Sequence, residues 1–161
     1  MPNTRFRLLL ILSVLLTAAC QTEVREAYIN QDKYIDTYVS NNFADNPVYH
    51  EGGVVRVVLV EGLAGAPVIE RGDSVYLYYA GYTFGQNGPE TQFVLDSGMV
   101  CVGKGKLIRG LDDGLTGARL GEEALILFSG EHGYGTSAVG LVPENTALLF
   151  DVGVAEIKKN H

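Results

Sequence analysis

From Asp73 to Phe84 the side chains alternate with a period of two. Val75, Leu77 and Tyr79 fall on one side, and Tyr76 and Tyr78 on the other. That period belongs to a β-strand with two unlike faces and cannot be laid on a helix without scattering the apolar set. Val54-Val-Arg-Val-Val-Leu-Val60 is β-branched, is closed by Glu61-Gly62, and reads as a second strand. Met99–Val102, Glu122–Phe128 and Ala147–Ile157 read as further strands, and residues 85–92 and the glycine-rich stretch Gly130–Gly140 as loops. One segment breaks the pattern: in Leu107–Leu115, Ile108, Leu111 and Leu115 recur at helical spacing. Several strands and one short helix predict an α+β fold, a curved antiparallel β-sheet wrapped around that α-helix. A chain of 161 residues has room for one such domain and an appendage, and a hydrophobic content of 47% supports a core.

The appendage is N-terminal. Arg5 and Arg7 precede the apolar run Leu8–Leu16, and Thr17-Ala-Ala-Cys20 follows. A basic start, a short apolar run and small residues describe a secretory signal. The run is short of the roughly 20 residues that a membrane span needs. Ending on cysteine, it resembles a bacterial lipoprotein signal, although Thr17 stands where leucine is preferred. That resemblance implies cleavage before Cys20, lipidation of its thiol and stable membrane anchoring by several acyl chains. Gln21, in place of a retention acid, points to the outer membrane, with the protein facing the periplasm. Residues 22–45 then carry a helical stripe, with Tyr34 and Tyr38, and Ile35 and Val39, four apart. Asn41, Asn42 and Asp45-Asn-Pro47 stop it. Such a helix either packs on its own domain or binds a partner. The expected organisation is a signal peptide over 1–19, an anchor, spacer and helix over 20–51, and the folded domain over 52–161.

Several function classes drop out. The formal net charge is −7, and removing residues 1–19, which hold Arg5 and Arg7 and no acid, makes it two units more negative. Without a basic stripe, nucleic acid is not an expected partner. Cys20 and Cys101 make no disulfide framework, and Cys101 in Met-Val-Cys-Val reads as a core thiol. Three scattered histidines suggest no metal site, and no cofactor is expected. Gly98–Lys104 has the glycine and lysine spacing of a phosphate loop, but Gly105 stands where Ser or Thr would hold magnesium. The acidic pairs Asp112-Asp113 and Glu122-Glu123 read as solvated. No Ser–His or Cys–His pairing has supporting context.

Five pieces occur in a telling order: Asp73–Gly81, Gly103-Lys-Gly-Lys-Leu-Ile-Arg-Gly-Leu111, Gly121-Glu-Glu, Gly133-Tyr-Gly135, and Leu141-Val-Pro143 through Leu148–Val152. Together they resemble the FKBP-type peptidyl-prolyl cis–trans isomerases over roughly residues 52–157. The resemblance implies a shallow apolar pocket between helix and sheet that accepts a proline ring. It implies Tyr79, Asp96 and Tyr134 as catalytic residues, with the Tyr134 hydroxyl and the Ile108 N–H holding substrate carbonyls. Leu107, Ile108, Leu111, Leu141, Val142 and Phe150 would line the pocket. The implied partners are proline-containing polypeptides of the exported proteome and macrolide-type inhibitors. The chemistry needs no nucleophile: rotation about Xaa–Pro is opposed by a barrier of about 20 kcal/mol, and an apolar, water-poor site favours the twisted, less charge-separated amide. Three features depart from the family form. Leu111 replaces a common tryptophan floor, the stretch from Asp96 to Gly103 is several residues shorter, and the Thr136–Val139 loop lacks a bulky side chain. The carboxylate position stays open, because matching Phe93 to the family's aromatic puts Val94 there and makes Asp96 a turn residue. The alternative function is a catalytically weak peptide-binding or chaperone lipoprotein on the same fold.

Overall fold

Val54–Val58 and Ala147–Phe150 are apolar at almost every position, and the structure explains why: both faces of the sheet are covered. The computed structural model describes residues 4–160, with side chains from Cys20 onward. The side chains of the segment expected to be a signal peptide therefore lie outside the described residues. Helix α1 runs Thr4–Asn42. Strands β1 (Val48–Glu51), β2 (Val54–Val60), β3 (Ser74–Gly85) and β4 (Gly88–Cys101) follow, then the short helix α2 (Arg109–Leu115), β5 (Glu123–Phe128), a 3-10 turn (Gly130–His132) and β6 (Ala147–Lys158). The strands form one six-stranded sheet in the order β1-β2-β5-β6-β3-β4, with antiparallel neighbours throughout. The expected α+β fold, a curved antiparallel sheet with a short helix and a preceding N-terminal helix, is the one observed.

Register sorts the side chains. Val54 pairs with Phe128, Ile126 with Phe150, and Gly81 with Phe150 across the three central ladders. Val54, Leu77, Ile126, Phe128, Leu148 and Phe150 therefore share the face that packs on Leu111 and Leu115 of α2. The intervening residues Val55, Val57, Leu127 and Leu149, joined by Phe84, form a second core under Ile35 and Val39 of α1. Helix α1 packs on its own sheet, the first of the two alternatives.

Helix α2 lies unusually close to the strands because it presents glycine to them. A Cβ on Gly110 would overlap the Phe128 ring, and one on Gly114 would overlap Ile126. Besides the packing of Leu111 and Leu115, polar contacts fix the helix. Arg56, 7% exposed, donates from Nη1 to the carbonyls of Gly114 and Thr116 (3.3 and 3.1 Å) at the helix C-terminus. There a cation complements the helix dipole. Its Nε lies 3.4 Å from Glu122, also buried. Asp112, 5% exposed, accepts the Gly103 N–H at 2.8 Å.

Several local expectations change. Residues 85–92 are not a loop: β3 and β4 form a hairpin closed by Gln86-Asn87, with Gly85 opposite Gly88. Pro89 is tolerated because β4 is an edge strand and needs its N–H on one side only. The strand expected over Met99–Val102 is the end of this longer β4, and β1 was not foreseen. Asp112 and Glu122 are buried and bonded rather than solvated, since each serves a backbone or cationic partner. Cys101 is half-buried, its Sγ 3.5 Å from the Gly72 carbonyl, because it sits on the edge strand.

Candidate active site

Tyr79 and Asp96 meet because β3 and β4 pair. They are direct cross-strand partners, and the Tyr79 hydroxyl donates to Asp96 Oδ2 at 3.5 Å. Asp96 is thus a strand residue and not a turn residue; its Oδ1 also accepts the Ser97 N–H at 2.8 Å. Burial, then the charge of Asp96, the bond to it and nearby Tyr134 push the Tyr79 phenol above its ordinary pKa of 10.0. Tyr79 is therefore a proton donor throughout the physiological range.

The start of α2 supplies a second wall. Leu107 and Ile108 are half-buried against the core, with Leu111 one turn on at 3% exposed. Ile108 is the N-cap, with φ −59° and ψ 143°, and no side chain caps the helix. The first N–H groups of a helix lack partners within it, so this terminus is a ready donor surface. Tyr134 comes from the segment between the 3-10 turn and β6, half-buried on the same cluster. The flanking glycines fix its backbone, for the Gly133 and Gly135 N–H groups both donate to the Gly130 carbonyl (3.1 and 2.9 Å).

Phe150 lies beneath. It is 2% exposed, stacked on Phe128 with ring centroids 6.0 Å apart, and meets the edge of Phe93 at 5.6 Å. Gly81 makes room for this arrangement: a Cβ there would come within 2.7–2.8 Å of Val94, Phe150 and Phe93. A glycine inside a strand pattern marks such a close approach, and it was the signal for Phe93 as part of the cluster. Val142 is also buried here, whereas Leu141, 66% exposed, stands outside. So Tyr79, Leu107, Ile108, Leu111, Tyr134, Val142 and Phe150 share one apolar cluster, with Asp96 at its rim. Beside it, between α1 (Val24, Tyr28, Ile29) and the Tyr134 segment (Glu131, Thr136), runs a separate groove of about 630 Å³.

Sequence reasoning missed three residues that tie down the ends of the segment carrying Tyr134. The Gln31 side chain accepts the Gly130 N–H at 2.7 Å and donates to the Asn145 carbonyl at 2.6 Å. The Tyr28 hydroxyl donates to the Asn145 side chain at 2.8 Å. The available signal was the spacing Tyr28, Gln31, Ile35, Val39, which continues the buried stripe of α1 and makes Gln31 a polar residue on an apolar face.

The family model for FKBP-type peptidyl-prolyl cis-trans isomerase matches residues 66–155. The chain belongs to this family. FK506-binding protein 1 of Gibberella zeae is 34% identical over 113 residues, covering 66% of this chain and 97% of that protein. A peptidyl-prolyl cis-trans isomerase of Schizosaccharomyces pombe is 37% identical over 109 residues, covering 65% of this chain and 95% of its own length. Among solved structures, FkpA from Escherichia coli superposes with a TM-score of 0.63 at 19% identity, covering all of this chain and 75% of that one. That last likeness is one of fold, and it includes the N-terminal helix of this FKBP-type chain.

Proposed function

We propose that this FKBP-type isomerase acts on Xaa–Pro bonds of exported polypeptides, binding the proline over the apolar cluster of Phe150, Leu111, Val142, Leu107 and Ile108. The observation that carries the reading is the convergence of Tyr79, Asp96 and Tyr134 on that cluster from three separate elements. Proline enters apolar side first. The twisted amide is stabilised by its low-polarity surroundings, and its neighbouring carbonyls are held by the Ile108 N–H and the Tyr134 hydroxyl. Tyr79 orders Asp96 at the rim. No covalent step is involved, so each ~1.4 kcal/mol of preferential stabilisation of the twisted amide gives about tenfold in rate. The same surface is proposed to take macrolide-type inhibitors. Support for a periplasmic, outer-membrane setting comes from the Arg5–Cys20 segment, with Cys20 exposed and free to carry lipid.

The test is isomerisation of a short Xaa–Pro peptide by the full chain beside a Tyr79→Ala, Phe150→Ala double variant. Acceleration that the variant loses is the expected result. No acceleration from a folded native chain would sink the catalytic reading in favour of peptide binding alone.

A further inference from the structure

We infer that Gln31 of helix α1 is a positioning residue for the active site, clasping both ends of the segment that carries Tyr134. The inference rests on the isomerase reading for its meaning in catalysis, but its geometry stands independently. Gln31 is 8% exposed, and its amide uses both of its functions on one segment: Oε1 takes the Gly130 N–H and Nε2 reaches the Asn145 carbonyl. These two residues are the ends of the stretch that leaves β5 and returns to β6.

The clasp extends to Tyr134 through a short chain of backbone bonds. The Gly130 carbonyl receives the N–H groups of Gly133 and Gly135, the two neighbours of Tyr134, and the Gly135 carbonyl receives the Asn145 N–H at 2.7 Å. Gly130 is thus bonded on both sides, to Gln31 through its N–H and to the flanks of Tyr134 through its carbonyl. Packing there is close: a Cβ on Gly130 would lie 3.0 Å from Asn145, Thr146 and the Tyr28 ring. Asn145 adopts φ +52°, an uncommon conformation for a residue with a side chain. Its side chain is held by the Tyr28 hydroxyl, one turn before Gln31. Among the described residues of α1, Gln31 and Tyr28 are the two buried side chains with hydrogen bonds to this segment, and Gln31 alone of the pair reaches both of its ends. A helix outside the family's matched region, residues 66–155, therefore sets the position of a site residue within it.

The experiment compares three full-length variants by amide hydrogen exchange across Gly130–Asn145 and by kcat/KM on a short Xaa–Pro peptide. Gln31→Met keeps the volume and loses both bonds. Gln31→Glu keeps the acceptor for Gly130 and loses the donor to Asn145. Val39→Ala loosens α1 on the sheet without touching the clasp. Gln31→Met should speed exchange at Gly133 and Gly135 and lower kcat/KM about tenfold to a hundredfold, the scale expected for a displaced site group. Gln31→Glu should fall between, and Val39→Ala should leave both readouts near the native values. Unchanged exchange in Gln31→Met, or equal changes in Val39→Ala, would overturn the inference. Faster exchange in Gln31→Met with a native chain that does not accelerate isomerisation would keep the clasp and reject the isomerase reading.

Discussion

Tyr79 and Leu111 touch the same cluster and should fail in opposite ways when changed. Tyr79→Phe keeps the ring and removes only a long, rim-exposed hydrogen bond, so stability should fall by less than about 1 kcal/mol while peptide isomerisation slows. Leu111→Ala empties a buried site and should cost about 2–5 kcal/mol, visible as a shifted denaturant midpoint. Leu141→Ala, by its exposure, should stay within about 0.5 kcal/mol of the native chain. A third tyrosine reports through pH. Burial first, then the charges of Glu90 and Asp32, push the Tyr34 phenol up to about 12 from its ordinary 10.0. A pKa raised by folding means that the folded state keeps its proton after the unfolded state has lost it. Stability from this group is therefore fully present below pH 10 and is lost as pH rises towards 12. Melting temperatures measured across that window should decline less steeply in Tyr34→Phe, which cannot ionise.

At the level of elements, α2 is held by features that usually weaken a helix. Alanine has the better intrinsic propensity by about 1 kcal/mol, yet Gly114→Ala would drive a methyl group into Ile126. Overpacking of that kind costs about 1–3 kcal/mol, so the net sign should be destabilising. The Arg56–Glu122 pair gives a second contrast. Glu122→Gln leaves a buried guanidinium short of its counter-charge and should cost about 3–5 kcal/mol, while an apolar replacement of both partners should cost much less; a double-mutant cycle in denaturant measures this. How far the sequence revealed these elements depended on periodicity. The alternation of β3 was plain because Tyr76 and Tyr78 face outward while Val75 and Leu77 are fully buried. The β3–β4 hairpin was hidden, because Gly85, Gly88 and Pro89 read as breakers until β4 is known to be an edge. Five of the pieces behind the candidate site were legible as an ordered set. Gln31 was not, since its partners lie 99 and 114 residues away and no local pattern announces them.

For the whole molecule, a sheet with both faces covered makes α1 part of the fold and not an attachment to it. Ile35 and Val39 are each worth about 1.5–3 kcal/mol of burial, and without them Val55, Val57, Phe84 and Leu149 face water. A chain beginning at Pro47 should therefore bind a hydrophobic dye and self-associate where the full chain does not, and light scattering would register the difference. The same helix runs unbroken from Cys20 through Gln31, an axial distance of about 16 Å at 1.5 Å per residue. With Cys20 as the proposed attachment point, the molecule stands on a strut rather than a leash. A leash would let it sweep a hemisphere and meet chains at any height. Anchored as proposed, such a strut would limit the domain's height, confining its encounters to a thin layer of polypeptide passing close over the lipid.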